Sequence, residues 1–225
     1  FTSAYGVWLL KKHQKGTVVV GRDARPSVAM IQELAQQTLI SLGIHVIDVG
    51  LSTTPTVEME VVRHKAQGGI IITASHNPKE WNALKLLNEK GEFLDAKNGE
   101  QINRISKNLS SVKFATVNKL GSIRLETNSI QHHINAVLDL PVVNVELIKT
   151  SGLTAVVDGV NSSGSIAIPK LLEALGVTVV PIHCDPNGDF PHNPEPLAQH
   201  LTDLSEAVVK HNADLGIAVD PDVDR

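Results

Sequence analysis

The chain has 225 residues, of which 42% are hydrophobic and 20% charged, as is usual for a globular protein of one or two domains. Its formal net charge of -4 and pI near 6.2 exclude a bulk electrostatic attraction to nucleic acid or to an anionic membrane surface. The single cysteine, Cys184, excludes an intrachain disulfide framework and favours a reducing cytoplasm. Apolar runs reach about eight residues, whereas a membrane-spanning helix needs roughly 20.

Strands and helices alternate in the first half of the chain. This alternation predicts a mostly parallel sheet that is covered by helices. The predicted strands are Thr17–Val20, Ile44–Val49 and a strand that Gly68 begins and that leads to Ser75, and the predicted helices are one that ends near Leu10, one over Ser27–Leu42 and one that begins at Thr53–Pro55.

Ser75 follows three consecutive isoleucines, Ile70–Ile72, and Asn77-Pro78 halts this buried strand in a loop. A serine at the tip of a strand can carry a phosphoryl group or act as a nucleophile, with His76 as a hydrogen-bond donor or proton carrier. Serine, asparagine and proline are also ordinary turn residues, so a simple turn remains an alternative.

Two arginines lie in the loop Gly21–Ser27, which follows the first strand. Functional loops of parallel sheets lie at the carboxyl ends of the strands, so Arg22, Arg25 and Ser75 could share one rim and bind a phosphate. The alternative is that Arg22 and Asp23 form a solvated surface pair of little energetic value.

The segments Asn82–Leu87 and Gly91–Leu94 predict a hairpin with a short turn. Lys85 lies between apolar neighbours in the first of them. Its side chain either points into solvent or is partly desolvated, and desolvation would lower its pKa toward the range that is useful for proton transfer.

A second α/β unit is predicted in the other half of the chain. Ser110–Glu126 has neither a long apolar run nor a clear period, so we predict two domains, residues 1–126 and 127–225. The predicted fold is therefore α/β, with two consecutive domains of mixed, mostly parallel sheets covered by helices and a truncated second domain. The remaining predicted elements are helices at Asp95–Leu109, Thr127–Leu140, Gly164–Leu175 and Leu197–His211, strands at Thr154–Asp158, Val177–Ile182 and Leu215–Val219, and a loop at Cys184–Pro196.

The last six residues, Asp220–Arg225, present three carboxylates at alternate positions in a turn that Pro221 stiffens. Such carboxylates can direct oxygen atoms at one hard cation, and Mg²⁺ fits if another ligand and water complete the octahedron. A solvated acidic turn is an alternative, whereas an EF-hand loop would need a glycine where Arg225 stands. A strand that leads into Asp-x-Asp also resembles the nucleophile motif of haloacid-dehalogenase-like phosphatases, in which Asp220 would be the nucleophile.

Four segments together resemble, in order and spacing, the motifs of the α-D-phosphohexomutases, the superfamily of phosphoglucomutase, phosphomannomutase and phosphoglucosamine mutase. The four segments are Gly21–Ser27, Thr73–Pro78, Trp81–Lys85 and Asp220–Arg225, and Asp189–Pro196 also resembles part of the family's second domain. Ala83 and Pro221 stand where the family usually has glycine. Both replacements are small or compatible with a turn, so we expect the backbone path to survive.

The resemblance implies an intramolecular phosphotransferase that interconverts hexose 1-phosphate and hexose 6-phosphate through a phosphoserine enzyme and a bisphosphorylated sugar. It implies that Ser75 carries the phosphoryl group and that Lys85 performs general acid/base work. It also implies that Asp220, Asp222 and Asp224 bind Mg²⁺ together with a phosphoryl oxygen on Ser75. The residues that it implies around the reacting phosphate are Arg22, His76, Asn77 and Arg225.

The resemblance covers the family's first domain and most of its second, so we expect the third and fourth domains to be absent. Because the family's opening loop is also missing and the chain begins at Phe1, we expect that the true N-terminus is missing. We expect a cytoplasmic protein whose partners are hexose phosphate and hexose bisphosphate, without nucleic acid or membrane, and we expect no turnover from these residues alone. The hexose and the oligomeric state remain open, and the rival function is a noncatalytic metal- or phosphate-binding module.

Overall fold

Two β-sheets organise the chain, one in each half. The computed structural model describes residues 1–108, 110 and 112–225. The first sheet has five strands in the order β4-β3-β1-β2-β5, and only β4 is antiparallel to its neighbour. These strands are β1 (Thr17–Arg22), β2 (His45–Leu51), β3 (Gly68–Ile72), β4 (Leu84–Leu87) and β5 (Ile123–Leu125).

Helices cover both faces of this sheet because the side chains of its buried strands alternate between the two faces. Val18 and Val20 face a core formed with α1, α2 and α4, whereas Val19 and Ile71 face α3. These helices are α1 (Thr2–His13), α2 (Val28–Ser41), α3 (Thr54–Arg63) and α4 (Ala96–Ser106).

The second sheet is parallel and has the order β7-β6-β8. Ala155 and Val157 pack on the side of α7, and Val156 packs on the side of α8. Helix α5 contacts both α3 and α7 and therefore joins the two halves. These elements are α5 (Ser129–Leu138), α6 (Val145–Thr150), β6 (Thr154–Asp158), α7 (Gly164–Ala174), β7 (Thr178–Ile182), α8 (Thr202–Lys210) and β8 (Leu215–Ala218).

The predicted α/β class and its mostly parallel sheets are confirmed, but several elements differ from their predictions. The predicted hairpin is present but short: an antiparallel bridge joins Leu87 to Phe93, the backbone N–H of Leu94 donates to Leu86, and β4 also pairs with β3 on its other side. The helix predicted over Leu197–His211 is divided into a short 3-10 helix at Ala198–His200 and α8. A helix was also predicted over Asp95–Leu109, and its predicted last residue, Leu109, lies outside the described residues.

Strand β5 lies inside the stretch that showed no regular pattern, and it pairs with β2 at the edge of the first sheet. Helix α6 also has no counterpart among the predicted elements. Among the helices of the described residues, none combines the length and the apolar character that crossing a membrane requires.

Candidate active site

Ser75 lies just beyond the carboxyl end of β3, where the chain leaves the first sheet. Its backbone has a φ of +50°, in the left-handed region that residues other than glycine rarely adopt. The hydroxyl of Thr73 accepts a hydrogen bond from the backbone N–H of Ser75 at 2.9 Å. The Ser75 hydroxyl donates to Oδ2 of Asp220 at 2.7 Å and lies 3.3 Å from Nδ1 of His76. The serine is thus aimed at a carboxylate from the other half of the chain.

Arg25 stabilises the serine loop, Thr73–Pro78, through contacts with its backbone. Its guanidinium is 1% exposed and donates to the backbone carbonyl oxygens of Ser75 and Asn77, at 2.6 Å and 2.5 Å. It also forms an ion pair with buried Asp23, whose carboxylate accepts a further hydrogen bond from Thr73. Arg25 and Ser75 therefore share one rim, as predicted, but the Arg25 side chain is buried and engaged with protein groups rather than facing a phosphate.

The alternative of a solvated surface pair between Arg22 and Asp23 is wrong. Asp23 is fully buried and pairs with Arg25 instead. Arg22 is half-buried, and its Nη1 donates to the backbone oxygen of Asp23 at 3.1 Å. Arg22 therefore keeps further N–H donors that could serve an anion at this edge of the sheet.

The turn after β8 brings three carboxylates together. Asp220, Asp222 and Asp224 each offer an oxygen atom, and these atoms lie within 4.8 Å of one another. Asp220 and Asp222 are fully buried, and Thr54 at the start of α3 donates to Oδ2 of Asp222 at 2.5 Å. The hydroxyls of Ser162 and Ser163 both donate to the carbonyl oxygen of Pro221 at 2.7 Å.

The second oxygen of Asp222 supports a metal at this turn. Oδ1 of Asp222 is buried and has no hydrogen-bond partner among the residues that the structure describes. An unpartnered buried carboxylate oxygen is costly unless a cation satisfies it. The all-oxygen ligand set suits a hard divalent cation, so the site could bind one.

The charges of the site alter the pKa values of its acidic and basic groups. Burial, together with the charges of Asp222 and Asp224, raises the pKa of Asp220 to about 6. Burial lowers the pKa of Lys85, but the charges of the two other aspartates and their hydrogen bonds outweigh it, so the pKa lies above its ordinary value. Nζ of Lys85 lies 2.6 Å from Oδ2 of both Asp222 and Asp224. Lys85 is thus partly buried, as one of the two alternatives held, but its pKa is raised rather than lowered because of its two carboxylate partners.

The other predicted site residues lie around this centre with different degrees of exposure. Asn77 is exposed and donates from its amide to the carbonyl oxygen of Ala74 at 2.9 Å. Arg225 is also exposed, and its Nη1 lies 3.7 Å from Oε1 of Glu195. The structure thus brings Ser75, His76, Lys85 and the three aspartates together, whereas Arg225 is directed toward the loop that contains Glu195.

Sequence reasoning missed several residues that build the site. Thr54 looks like an ordinary residue at a helix start, yet it links α3 to Asp222 through both its backbone N–H and its hydroxyl. Phe190 lies with its ring 5.2 Å from the Arg25 guanidinium, and Asp189 pairs with Lys79 at 2.5 Å. The only available signal was the family-like segment Asp189–Pro196, which did not indicate contact with the serine loop.

Two family models match nearly all of the chain. The model described as phosphoglucomutase/phosphomannomutase, alpha/beta/alpha domain I matches residues 1–113, and the model for alpha/beta/alpha domain II matches residues 131–225. The first match includes the serine loop, and the second includes the turn Asp220–Arg225, called the three-aspartate turn below.

Curated relatives and a solved structure agree with the family models. A phosphoglucomutase/phosphomannomutase of Thermococcus kodakarensis is 38% identical over 99% of this chain and 48% of its own length. A protein of Methanosarcina barkeri named "Probable phosphoglucosamine mutase" is 36% identical over 99% of this chain and 49% of its own length. The chain therefore spans about half the length of these curated relatives.

The similarity extends to three dimensions. The crystal structure of a phosphoglucomutase/phosphomannomutase family protein from Burkholderia thailandensis superimposes with a TM-score of 0.79 and 25% identity, covering 98% of this chain and 48% of that chain. Sequence and structure thus agree over both halves, including the two loops that meet at Ser75. On these grounds the chain belongs to the phosphoglucomutase/phosphomannomutase family.

Proposed function

We propose that this chain carries the phosphoryl-transfer centre of a hexose phosphate mutase, with Ser75 as the residue that is phosphorylated. The observation that carries this proposal is the 2.7 Å hydrogen bond between Ser75 and Asp220, which are 145 positions apart in the sequence. Asp222, Asp224 and Lys85 surround the same point. A hydroxyl, three carboxylates and an ammonium group are the components that phosphoryl transfer requires for positioning and charge stabilisation.

The proposed reaction balances as a transfer between two oxygen atoms. In one direction a sugar hydroxyl attacks the phosphorus of phosphoserine, the bond from phosphorus to Oγ of Ser75 breaks, and the hydroxyl proton ends on Oγ. In the other direction Oγ attacks a sugar phosphate, and its proton ends on the sugar oxygen. Asp220 orients the Ser75 hydroxyl, and the cationic Lys85 lies where it can give a proton to a leaving oxygen; the neutral amine that this leaves can take a proton from an attacking oxygen.

The three aspartates are the residues that would hold Mg²⁺, with a phosphoryl oxygen on Ser75 as a further ligand. When bound, this ion would neutralise charge that develops on the phosphoryl oxygens. Arg25 would keep the loop of Ser75 in position through its two backbone contacts. His76, Asn77, Arg22 and Arg225 are proposed to bind the phosphate or the sugar at the exposed side of this centre.

Hexose phosphates and hexose bisphosphates are the proposed substrates. The relatives' names include mutases of glucose, mannose and glucosamine phosphates, so we propose the substrate class and leave the hexose open. We further propose a cytoplasmic location and Mg²⁺ as the cofactor. Because the chain spans about half the length of these relatives, we expect phosphoryl transfer to Ser75 but no sustained turnover from the 225 residues alone.

The test is to incubate the chain with glucose 1,6-bisphosphate and Mg²⁺ and to measure its intact mass. We expect the addition of one phosphoryl group, its assignment to Ser75 by peptide mapping, and its loss when hexose monophosphate is added. The Ser75→Ala variant should gain nothing, whereas Ser205→Ala, which alters an exposed serine on α8, should behave as the unmodified chain does.

The stability of the new bond distinguishes the rival functions. Phosphoserine survives acid, whereas a phosphatase of the dehalogenase type would form a labile acyl phosphate on Asp220. A noncatalytic binding module would acquire no covalent phosphate. Phosphorylation of Asp220, or phosphorylation of the Ser75→Ala variant to the same extent, would contradict the proposal.

A further inference from the structure

A second cluster of ligand-type side chains lies at the carboxyl edge of the second sheet. Asp158 is the last residue of β6, and His183 directly follows β7, which pairs with β6 in parallel at this position. His192 reaches the same point from the loop that follows. One ligand atom of each of these three residues lies within 4.8 Å of the others. None of the three takes part in the proposed phosphoryl transfer.

The hydrogen bonds of His192 determine which of its ring nitrogens faces the cluster. Nδ1 lies 2.8 Å from the carbonyl oxygen of Asn193, which can only accept, so Nδ1 carries a hydrogen atom. Nε2 lies 3.0 Å from Oδ2 of Asp158, a carboxylate that is 1% exposed. In the neutral ring, Nε2 therefore directs a lone pair at a buried carboxylate oxygen. Either a proton or a metal ion must lie between these two atoms to make the contact favourable.

His183 adds a second imidazole to the same cluster. Its ring meets that of His192 edge-to-face, with centroids 5.5 Å apart. Its Nε2 also lies 3.0 Å from Oδ2 of Asp203 in the first turn of α8. Metal-bound histidines usually donate their other ring N–H to a carboxylate or a carbonyl oxygen. Asn193 supplies such an acceptor for His192, and Asp203 can supply one for His183.

We propose that Asp158, His183 and His192 form a Zn²⁺ site that is separate from the three-aspartate turn. Two imidazoles and one carboxylate are ligands that Zn²⁺ prefers, and a water molecule can complete a tetrahedral shell. Mg²⁺ instead prefers oxygen ligands, as in the three-aspartate turn. The two sites should therefore bind different ions from a mixture.

The proposed ion would fasten the loop Cys184–Pro196 to the second sheet. This loop contains Phe190, which lies against the Arg25 guanidinium, and Asp189, which pairs with Lys79. Arg25 binds the backbone of the serine loop, and Lys79 directly follows that loop, so both contacts lie beside it. The Zn²⁺ site would thus have a structural role, in which it holds the second half's loop against the first half.

The test is a calorimetric titration of the full 225-residue chain with Zn²⁺ in a large excess of Mg²⁺, which keeps the three-aspartate turn occupied. We expect one bound equivalent, and the same result for Asp222→Asn. His183→Asn and His192→Asn should each weaken Zn²⁺ binding by more than about tenfold. His211→Asn, at an exposed histidine that follows α8, should bind as the unmodified chain does.

A spectroscopic measurement keeps the proposal testable if the histidine variants fail to fold. Co²⁺ added to the unmodified chain in excess Mg²⁺ should give the intense visible absorption of a four-coordinate ion. A weak six-coordinate spectrum, the absence of Zn²⁺ binding in excess Mg²⁺, or undiminished binding by a folded His192→Asn variant would each overturn the proposal. The last two results would indicate that a proton alone joins His192 to Asp158.

Discussion

Arg25 acts on the serine loop through the backbone rather than through the Ser75 side chain. Its fork of N–H groups spans two carbonyl oxygens and the carboxylate of Asp23, all within the protein. Lysine has a single ammonium group and could not make these contacts in the same geometry. Arg25 therefore stabilises the left-handed backbone of Ser75 and so fixes the direction of its hydroxyl.

Replacing Arg25 with alanine should leave the carboxylate of Asp23 buried without its cation. Breaking a buried pair in this way costs about 3–5 kcal/mol, so we expect the free energy of unfolding to fall by that amount. Urea denaturation followed by circular dichroism measures this change. The matched control is Arg104→Ala, which removes an exposed pair with Glu100 and should cost no more than about 0.5 kcal/mol. Equal effects of the two substitutions would contradict the prediction.

The residues that carry the chemistry were easier to predict than the residues that hold them. Ser75 and the three aspartates each follow a strand, but the two strands belong to different sheets, so it was the family resemblance that indicated their meeting. Arg22 and Arg25 follow the same strand, and spacing alone could not tell that one of them folds inward. The partners of Lys85 were also beyond prediction, since Asp222 follows it by 137 residues and Asp224 by 139.

Helix α5 is one of the elements that join the two halves through side-chain contacts. Nδ1 of His133 lies 2.8 Å from the hydroxyl of Thr56, which in turn contacts the Thr53 hydroxyl at the start of α3. The same histidine lines a cavity of about 160 Å³ together with residues of α7 and Val223 of the three-aspartate turn. The packing of α5 is thus linked to the start of α3 and to the three-aspartate turn.

This contact should make the stability of the protein depend on pH. Burial lowers the pKa of His133 below its ordinary value of 6.5. Below that ordinary value the unfolded chain binds more protons than the folded chain at this position, so the free energy of unfolding decreases as the pH falls toward the folded pKa. His133→Gln should reduce this decrease in urea titrations from about pH 8 to about pH 5. The control is His211→Gln, and an unchanged pH dependence in the His133 variant would refute the prediction.

The prediction of strands succeeded where the sequence has a continuous run of buried apolar residues. Strands β1, β3 and β6 are apolar runs, and the structure buries them. Strand β5 has only three residues and is exposed along its length, so its sequence shows no burial pattern. The helix predicted over Leu197–His211 is interrupted because the chain makes a separate 3-10 turn before α8 begins.

At the scale of the whole molecule, the candidate metal site joins two sheets that each have their own core. Ser75 and Lys85 come from the first sheet, whereas the aspartates come from the second. A ligand that binds only the folded, assembled site stabilises both halves by mass action. The stabilisation that metal binding causes should therefore be measurable in both halves of the chain.

We expect Mg²⁺ to slow amide hydrogen exchange in the serine loop and in the three-aspartate turn at the same time. At a concentration 100 times the dissociation constant, the stabilisation should reach about 2.7 kcal/mol. Exchange measured by mass spectrometry with Mg²⁺, and again after EDTA, gives the comparison. Asp222→Asn should abolish the protection of both segments, whereas Asp139→Asn, at an exposed residue, should preserve it. Protection of the turn without the loop would show that the two segments do not bind one ion.

The distance along the chain between Ser75 and Asp220 has a consequence for biosynthesis. Ser75 is synthesised 145 residues before its carboxylate partner Asp220. At typical translation rates this interval lasts about 7–30 s. During that time Ser75, Arg25 and the first sheet exist without the three aspartates, so the candidate site is incomplete. The proposed phosphoryl transfer at this serine would therefore begin only after synthesis of the second sheet.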